Sequence, residues 1–587
     1  MLNTRAAAPS RARPVAPRRT RPAAATATTR PFIVLALMLA CAAGLAARLV
    51  FWQVLQHPHL SALAAAQHAD LTVQAPMRGQ IFDAQGNLLA TDVTEYLVYA
   101  APWQVKDAYR TASLMAPVLH EDQRQVYQLL TQNDSITLLA PPLNAQSGQQ
   151  VRNLALPGII LEPVIRRDYP EGSTAAQLLG YADIHLHGQY GLEASYDRLL
   201  SGTAGLRSVL KDTAGNTIHV GSLGDTPAQN GADLHLTLDG TVQGLVEDEL
   251  HKAVLQHHAD GGTIIVMDPR TGSVLGMASE PAFNPNRYWK YPYGNLVNPA
   301  TQWIYEPGST MKVLTMAAGL DSHVITPQSA LDDTGAFRIA DVTIRNWCLC
   351  AFGMETMTQV LQHSANVGAS WVAQRLGVQR FYHYMRLFHV GQPTGIDLPN
   401  ESPGLLPLPG DKSWSIVNLY TNSFGQGVAI TPMRLITSIG AIANHGVMMK
   451  PQIVHQIVYG GRIITRRPVI AGRVVSAATA HTLTNMLVHS AVDGEAQMAL
   501  VPGYNIAAKT GTSNVPDGHG GYLKNVTIGS TVAYAPAFHP RFIALVIINH
   551  PRDTIWGSMS AAPVIHNLFQ ELFMYYHIAP NPNALHQ

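Results

Sequence analysis

Apolar residues are first concentrated in one continuous run near the start of the chain, PFIVLALMLACAAGLAARLVFWQVL. No charged residue interrupts this run between Phe32 and Ala47, and the side chain of Arg48 is long enough for its charged end to reach lipid headgroups. A helix of this length spans the hydrocarbon core of a bilayer, which is about 30 Å thick. The pattern therefore predicts one transmembrane helix over residues 31–55.

The segment before this helix, residues 1–30, contains seven arginines and no acidic residue. This composition predicts a disordered tail, and positively charged flanks remain on the cytoplasmic side of a membrane. We therefore expect a cytoplasmic N-terminus, with everything after the helix outside the cytoplasm. Two alternatives stay open: a signal peptide cleaved near Ala43 or Ala46, and a lipoprotein anchored at Cys41, although the sequence before that cysteine fits the expected box poorly.

Between residues 57 and 232, short apolar alternations are separated by turn residues, which is the pattern of strands joined by hairpins. Turns are predicted at residues 83–86 and 212–215. Helical periodicity is confined to patches such as DQRQVYQLLTQ. The pattern predicts an N-terminal α+β domain over residues 56–232.

A different pattern begins at residue 233. A short strand leads to an aspartate, and the following sequence spaces Val242, Leu245, Val246 and Leu250 along one helical face. Further strands are predicted in GGTIIVMDPRTGSVLGMAS, IAAKTGTSN, STVAYAPA and FIALVIINH. The pattern predicts an antiparallel sheet flanked by helices over residues 233–578, with a short tail over 579–587, and the fold class is α+β.

Composition narrows the class of protein. The 587 residues are 47% apolar, enough for buried cores, and only 13% charged, which hints at an extracytoplasmic surface. A net charge of +1 does not fit a nucleic-acid binder. The 25 histidines are scattered without an H-E-x-x-H motif, so we expect no metal. The pair Cys348 and Cys350 allows a bridge, free thiols or part of a metal site, although nearby ligands at the right spacing are lacking for the last.

The candidate chemistry begins in IYEPGSTMKVLTMAAGL, residues 304–320, where a serine precedes a lysine by three positions. On a helix this spacing puts Ser309 and Lys312 on one face, within reach of each other. A serine needs a base beside it to act as a nucleophile, and a buried lysine near another cation can lose its proton at neutral pH. Lys312 is therefore the candidate base. The spacing alone is weak, since Ser208 and Lys211 repeat it in a strand-like run.

Two later segments make the signal specific. VLQHSANVGAS contains Ser364 and Asn366, and YNIAAKTGTSN contains Lys-Thr-Gly-Thr at residues 509–512. The motifs Ser-x-x-Lys, Ser-x-Asn and Lys-Thr-Gly, in this order, form the set found in penicillin-recognising serine enzymes. We interpret them as one catalytic site.

The second motif and the lysine of the third have tasks that complement the first. Ser364 and Asn366, which we expect on a loop, can relay protons and donate an amide hydrogen bond to a substrate carbonyl. Lys509 supplies the second positive charge that keeps Lys312 neutral.

The segment around residues 509–512 has the pattern of an edge strand, with which an extended peptide can pair. Gly511 would let the peptide backbone approach closely, and the hydroxyls of Thr510 and Thr512 can bind a substrate carboxylate. Backbone N–H groups of Ser309 and Thr512 can form an oxyanion hole, which typically contributes about 3–4 kcal/mol to transition-state stabilisation.

With these motifs the chain resembles the class B penicillin-binding proteins, the monofunctional peptidoglycan D,D-transpeptidases, and most closely their division-type branch. EPGSTMK, HSANVG and AAKTGTSN are similar to the family's active-site motifs, and RGQIFDAQGNLLA, RRDYP, LLGYAD, GQYGLEASYDRLLSGTAG and FGQGVAITPMRL to its signatures elsewhere. The resemblance covers nearly everything from residue 32. It implies that residues 56–232 are the family's dimerisation-type pedestal domain and that residues 233–578 are its transpeptidase domain.

The resemblance also implies a reaction. Ser309 would attack the D-Ala-D-Ala bond of a peptidoglycan stem peptide, release D-Ala and pass the acyl group to an amine on a neighbouring stem. Lys312 would be the general base, Ser364 and Lys509 the proton relay and electrostatic partners, and Asn366 a substrate contact. β-Lactam antibiotics would acylate the same serine.

The resemblance implies no cofactor. It implies a single-pass protein of the cell membrane, whose partners are a polytopic glycosyltransferase and other cell wall synthesis proteins. One residue departs from the family pattern: Ala365 stands where the family more often has Ser or Asp, and we expect altered packing there rather than lost activity.

Two other functions remain open at the level of sequence. A membrane-anchored D,D-carboxypeptidase or β-lactamase would use water in place of the amine, although Glu401 lacks the motif of a deacylating glutamate. A non-catalytic divisome scaffold or β-lactam sensor would keep the fold without the reaction, although every polar motif residue is present. The sequence does not separate a role in septation from one in elongation or sporulation.

Overall fold

The computed structural model describes residues 29–132, 135–211, 217–218 and 226–585. The chain divides into two compact units, one made of residues 1–74 with 205–227 and the other of residues 75–204 with 228–587. The predicted tail over residues 1–30 lies outside the described residues except for Thr29 and Arg30, which belong to the first helix. The predicted turn at residues 212–215 also lies outside the described residues.

The first unit begins with the apolar run. It forms an α-helix, Thr29–Val50, continued by a π-helical turn, Phe51–Leu55, and followed by the helix His57–His68. The 26 residues Arg30–Leu55 are long and apolar enough to cross a membrane, and their most apolar stretch is not buried against any other part of the protein. The predicted helix over residues 31–55 is confirmed.

A small antiparallel sheet completes this unit, with the strands in the order Ala69–Gln74, Gly205–Lys211, Thr217–Ile218. Ser208 and Lys211, the second Ser-x-x-Lys pair, lie on the middle strand, as the strand-like run predicts.

The N-terminal part of the second unit, residues 75–204, is α+β. Its longest strand, Leu88–Ala100, pairs with Ile159–Asp168 along the whole length of the latter. Three helices have an N-cap residue whose side chain accepts a hydrogen bond from a backbone N–H group of the first turn. These residues are Asp107, Asp122 and Asn144. The helices are Pro102–Gln104 (3-10), Ala108–Leu119, Gln123–Thr131, Ala145–Leu154, Ala176–Leu179, Gly191–Ser195 and Asp197–Leu200. The other strands are Ile81–Phe82, Thr137–Leu138, Tyr181–Ala182 and Gly188–Gln189.

Four charged side chains are buried together in this part. Arg78 Nη2 lies 2.6 Å from Glu193 Oε2, while Arg167 reaches Glu193 Oε1 at 2.8 Å and Asp92 Oδ1 at 3.0 Å. Burial alone would raise the pKa of Glu193, but the two guanidinium groups hold that pKa below its ordinary value. Three signatures that are separate in sequence, RGQIFD, RRDYP and GLEASYD, therefore meet in one ion-pair cluster.

One sheet joins this part to the rest of the unit. Asp233–Leu236 pairs in parallel with Ile81–Phe82 and antiparallel with Val454–Tyr459, and Arg462–Thr465 is the strand beyond. The predicted boundary between residues 232 and 233 therefore falls directly before a strand that is hydrogen-bonded on both sides.

A second sheet has five antiparallel strands, in the order Val274–Glu280, Gly261–Met267, Phe542–Asn549, Tyr522–Ala535, Ala507–Pro516. Alternate residues of this sheet face two hydrophobic cores. On one face lie the helices Gly240–Gln256 and Ala562–Tyr575, and on the other lie Lys312–Asp321, Pro432–Ala443 and Ala477–Asp493. The predicted antiparallel sheet with flanking helices is confirmed.

Shorter elements surround this core. The helices are Pro285–Lys290 (3-10), Tyr293–Leu296, Pro299–Gln302, Gly308–Met311 (3-10), Met357–Gln362, Asn366–Leu387, Ile416–Ser423, Gln497–Ala499 (3-10) and Gly557–Ser560. The strands form three two-stranded pairs, which are Ala330–Asp333 with Gly353–Thr356, Ala336–Ile339 with Val342–Arg345, and Val447–Met449 with Ile470–Arg473.

Replacing Glu193 with alanine should destabilise the protein strongly, because Arg78 and Arg167 then stay buried without their shared counter-ion. Removing one partner of a buried ion pair costs about 3–5 kcal/mol, which we expect to lower the Tm of a unit of this size by about 3–5 °C. Thermal unfolding of the full chain in detergent measures the shift. The matched control is Glu95→Ala, which removes a partly exposed ion pair with Arg166 and should leave the Tm nearly unchanged. Equal shifts for both variants would contradict the prediction.

Candidate active site

Ser309 lies on the 3-10 turn Gly308–Met311, which leads directly into the helix Lys312–Asp321. The φ of Gly308 is +57°, a conformation that favours glycine, and a Cβ at this position would lie 2.8 Å from the carbonyl oxygen of Thr512. The turn therefore packs closely against the strand that carries the third motif. Within the first helical turn, Lys312 Nζ lies 3.0 Å from Ser309 Oγ.

Lys312 is fully buried, and its amine is surrounded by oxygen atoms. The carbonyl oxygen of Ser364 and, at 2.8 Å, Oδ1 of Asn366 are within hydrogen-bond reach, and neither oxygen can donate a proton. A neutral amine has two hydrogens, and these two acceptors take both. Its lone pair is then free to accept the hydroxyl hydrogen of Ser309.

Burial and, second, the positive charge of Lys509 hold the pKa of Lys312 well below its usual value. Burial also lowers the pKa of Lys509, but the carboxylate of Glu495, 3.9 Å from Lys509 Nζ, opposes that shift. Because the carboxylate lies beside Lys509, the arrangement favours the charged form of Lys509 and the neutral form of Lys312.

Ser364 connects the two lysines. Its Oγ accepts a hydrogen bond from Lys509 Nζ at 3.0 Å and lies 3.3 Å from Lys312 Nζ. The φ of Ser364 is +54°, which is uncommon for a residue with a side chain, and in this conformation both its Oγ and its carbonyl oxygen reach Lys312. The structure thus brings Ser309, Lys312, Ser364 and Lys509 together in one hydrogen-bonded path.

Asn366 is the first residue of the helix Asn366–Leu387, so the prediction that it lies on a loop with Ser364 is wrong. The two ends of its amide group are held separately, with Oδ1 toward Lys312 and Nδ2 donating to Arg345 O at 3.0 Å. Ala365, just before it, is fully buried in the larger hydrophobic core. The departure from the family pattern at Ala365 therefore lies in the core.

The third motif lies on Ala507–Pro516, which is an edge strand as predicted. Among the described strands, none pairs with its outer edge. Thr512 Oγ1 accepts a hydrogen bond from Gly557 N at 3.0 Å, so its hydroxyl hydrogen stays available to a ligand. Thr510 Oγ1 instead donates to Glu495 Oε2 at 3.2 Å.

Gly511 also packs closely against other parts of the protein. A Cβ at this position would lie 2.6 Å from Ser530 Oγ and 3.0 Å from Thr310 Cγ2. The edge strand passes closely between its neighbouring strand and the turn that carries Ser309, so a side chain at this position would require its neighbours to shift.

A cleft of about 530 Å³ lies over these residues. Lys312 and Lys509 are buried. The predicted residues that line the cleft are Ser309, Ser364, Asn366, Thr510 and Thr512.

Residues outside the three motifs also line the cleft, and among them are Asn346, Trp347, Glu495 and Trp556. The two indole rings meet edge to face with 5.1 Å between their centroids, and Trp347 Nε1 donates to His363 O at 2.9 Å. The neighbouring unexplained cysteines were the only sequence signal near Asn346 and Trp347. Glu495 and Trp556 stand in segments without a recognisable pattern.

Cys348 and Cys350 form a disulfide, which decides between the three alternatives that the sequence allows. In the part of the chain that the structure describes, no group of three or more His, Cys, Asp or Glu side chains could hold a metal ion.

Two family models match the chain: the penicillin binding protein transpeptidase domain over residues 262–570 and the penicillin-binding protein dimerisation domain over residues 73–236. The stage V sporulation protein D of Bacillus subtilis (strain 168) is 31% identical over 549 residues, which are 92% of this chain and 84% of that protein. The peptidoglycan D,D-transpeptidase FtsI of Escherichia coli (strain K12) is 32% identical over 498 residues, which are 83% of this chain and 82% of that protein.

Solved structures show the same similarity. Penicillin binding protein 2X from Streptococcus thermophilus has a TM-score of 0.73 and 25% identity, over 86% of this chain and 80% of that one. Penicillin binding protein 3 from Mycobacterium tuberculosis, complexed with aztreonam, has a TM-score of 0.68 and 28% identity, over 88% of this chain and 100% of that one. The chain therefore belongs to the class B penicillin-binding proteins, in the division-type branch that its motifs indicate.

Proposed function

We propose that this chain is a membrane-anchored, serine-type peptidoglycan D,D-transpeptidase that cross-links stem peptides in cell wall synthesis at division. The observation that carries the proposal is the hydrogen-bonded path from Ser309 through Lys312 and Ser364 to Lys509, in which the first lysine is buried and the second lies beside a carboxylate. Similarity to a relative named as a D,D-transpeptidase supports the reaction. Membership of the division-type branch supports the cellular role.

In acylation, Lys312 Nζ accepts the hydroxyl proton of Ser309 while Oγ attacks the carbonyl carbon of the penultimate D-Ala. The carbonyl oxygen becomes an oxyanion, which the backbone N–H groups of Ser309 and Thr512 stabilise. The C–N bond to the terminal D-Ala then breaks, and the leaving amine receives the proton from Lys312 through Ser364 Oγ. Free D-Ala departs, and the acyl group stays bonded to Ser309.

In deacylation an amine on a neighbouring stem peptide takes the place of the departed D-Ala. It gives one proton back through Ser364 to Lys312 and attacks the acyl carbon, and the bond to Ser309 Oγ breaks as that oxygen recovers its proton. The product is a new amide cross-link. A β-lactam enters the first step through its ring C–N bond, but its leaving nitrogen remains attached to the acyl group and the enzyme stays acylated.

The edge strand orients the substrate. An extended stem peptide can add to the open edge of Ala507–Pro516 as a further strand, next to the backbone of Gly511. The available hydroxyl hydrogen of Thr512 and the positive charge of Lys509 then bind the terminal carboxylate. Asn366 Nδ2 uses one hydrogen for Arg345 O and has a second one for a substrate carbonyl.

Glu495 sets the charge of the site through Lys509. A buried ammonium without a counter-ion gives up its proton easily, and the carboxylate of Glu495 opposes that loss. The retained charge of Lys509 then lowers the pKa of Lys312. Thr510, whose hydroxyl donates to the same carboxylate, holds it in place.

The apolar stretch Arg30–Leu55 is the membrane anchor, with the arginine-rich tail in the cytoplasm and the remaining chain outside. The disulfide between Cys348 and Cys350 supports this orientation, because structural disulfides persist in oxidising compartments. A polytopic glycosyltransferase in the same membrane and other cell wall synthesis proteins are the partners, since cross-linking needs newly made glycan strands nearby.

Ser309→Ala should abolish covalent labelling by benzylpenicillin, because the oxygen that receives the acyl group is lost. Mass spectrometry of the full-length protein should find the adduct on the peptide that contains Ser309 in the wild type and no adduct in the variant. The matched control is Ser208→Ala, in the second Ser-x-x-Lys pair, which should be labelled like the wild type. An unlabelled wild type would overturn the proposal, and a label that is quickly released would favour a β-lactamase.

Glu495→Gln should shift the pH profile of benzylpenicillin acylation toward acid on both limbs. The carboxylate raises the pKa of Lys509 and that of Lys312, so its removal lowers both. Lys312 then becomes neutral at a lower pH, which moves the rising limb, and Lys509 loses its proton at a lower pH, which moves the falling limb. Stopped-flow acylation across pH measures the profile, with the exposed Glu571→Gln as control. An unmoved profile would exclude this role for Glu495.

A tag fused before residue 1 should be protected from protease added to wall-less cells, whereas the chain after residue 56 should be digested. The tag should become accessible once detergent opens the membrane, which is the control. Digestion of the tag in intact wall-less cells would reverse the orientation. A soluble, shortened mature protein would show that the apolar helix is cleaved.

A further inference from the structure

The helix that begins with Asn366 lacks a cap from its own sequence. The N-cap position is held by Ala365, whose side chain has no oxygen to accept the first backbone N–H groups. Those groups are satisfied from another segment of the chain. Asn346 Oδ1 accepts hydrogen bonds from the backbone N–H of Asn366 at 3.0 Å and of Val367 at 3.1 Å.

The orientation of the Asn346 amide is fixed from its other end. Its Nδ2 donates to both carboxylate oxygens of Asp333, at 3.0 and 2.9 Å, and to Cys350 O at 3.2 Å. Asn346 and Asp333 are both buried. Because a carboxylate and a carbonyl can only accept, the nitrogen of Asn346 must face them and its oxygen must face the helix.

Two neighbouring groups lie beside Asp333, which are the backbone N–H of Gly335 and the carboxyl group of Glu355. Gly335 N donates to Asp333 Oδ1 at 2.7 Å. Burial and, second, the charge of Asp333 raise the pKa of Glu355 to about 8. His363 Nδ1 lies 3.1 Å from Glu355 Oε2, and the His363 side chain is partly exposed.

The same segment also fixes the side chain of Asn366. The residue before Asn346 provides Arg345 O, which accepts from Asn366 Nδ2, and this contact turns Oδ1 toward Lys312 Nζ at 2.8 Å. That oxygen takes one of the two hydrogens of the neutral amine. The direction of the amine's lone pair toward Ser309 therefore depends on where the segment 345–346 holds the start of the helix.

We infer that Asn346 is a positioning residue for the reaction, which supplies from a distant segment the helix cap that Ala365 lacks and thereby sets the geometry of Asn366 and Lys312. The inference rests on the proposed role of Lys312 as base. Asn346 acts through Asn366 and the helix, so its loss should slow the acylation step and affect the binding of penicillin much less.

Asn346→Ala should lower the rate constant for acylation at saturating benzylpenicillin by about 100-fold, since misplacing a reacting group by roughly 1 Å costs that much. The concentration of penicillin that half-saturates the rate should change by less than about threefold, because the cleft surface is largely kept. The matched control is Asn144→Ala, which removes the N-cap of a helix in residues 75–204 and should leave both constants unchanged.

An exchange of charges separates positioning from a general loss of stability. Asn346→Asp places its new carboxylate against that of Asp333. This variant should be acylated as slowly as Asn346→Ala. Adding Asp333→Asn restores a donor opposite an acceptor, while the new aspartate still accepts from the helix N–H groups, and the acylation rate should recover at least about tenfold. Thermal unfolding of every variant shows that each is folded at the assay temperature.

Three outcomes decide the inference. Slow acylation by both single variants with recovery in the double variant supports it. Acylation by Asn346→Ala within about twofold of the wild type, or a double variant as slow as Asn346→Asp, overturns it. A wild type that takes up no penicillin overturns the proposed function instead, so the two failures are distinguishable.

Discussion

The active site depends on the burial of one amine, that of Lys312, away from water. Placing Lys312 in the core makes its charged form unfavourable, and a nearby second lysine adds to that effect. The atoms within hydrogen-bond reach of its nitrogen are hydroxyl, carbonyl and amide oxygens, which suit a neutral amine. Three features shield this amine from water and direct it toward Ser309. They are the apolar helix, the left-handed conformation of Ser364 and the close packing at Gly308.

The two groups of buried ionisable residues show how neighbours decide the outcome of burial. Around Glu193, two guanidinium groups reverse the effect of desolvation and keep the carboxylate charged. At Lys312, the nearest strong charge has the same sign and adds to desolvation. A low dielectric strengthens attraction between opposite charges and repulsion between like charges alike. The cluster around Glu193 therefore stabilises the fold, while the lysine pair favours a neutral Lys312 that can act as a base.

Features that lie within one element could be predicted from the sequence, because spacing alone determines them. The apolar run, the edge strand and the approach of Lys312 to Ser309 are of this kind. Contacts between elements could not be predicted, since they depend on packing: Asn346 reaches the start of a helix from a loop, and Glu495 reaches a lysine on the edge strand. The close packing of Gly511 against Ser530 and Thr310 is of the same kind, because sequence does not reveal which neighbour comes close.

The sheet shared by the two predicted domains has a practical consequence for anyone dividing the protein. A fragment that starts at residue 233 keeps Asp233–Leu236 but loses Ile81–Phe82, and one row of backbone N–H and C=O groups in the middle of a sheet becomes unpaired. Open edges of this kind promote aggregation. The transpeptidase portion is therefore best produced with residues 75–204 attached, even though none of the three active-site motifs lies among them.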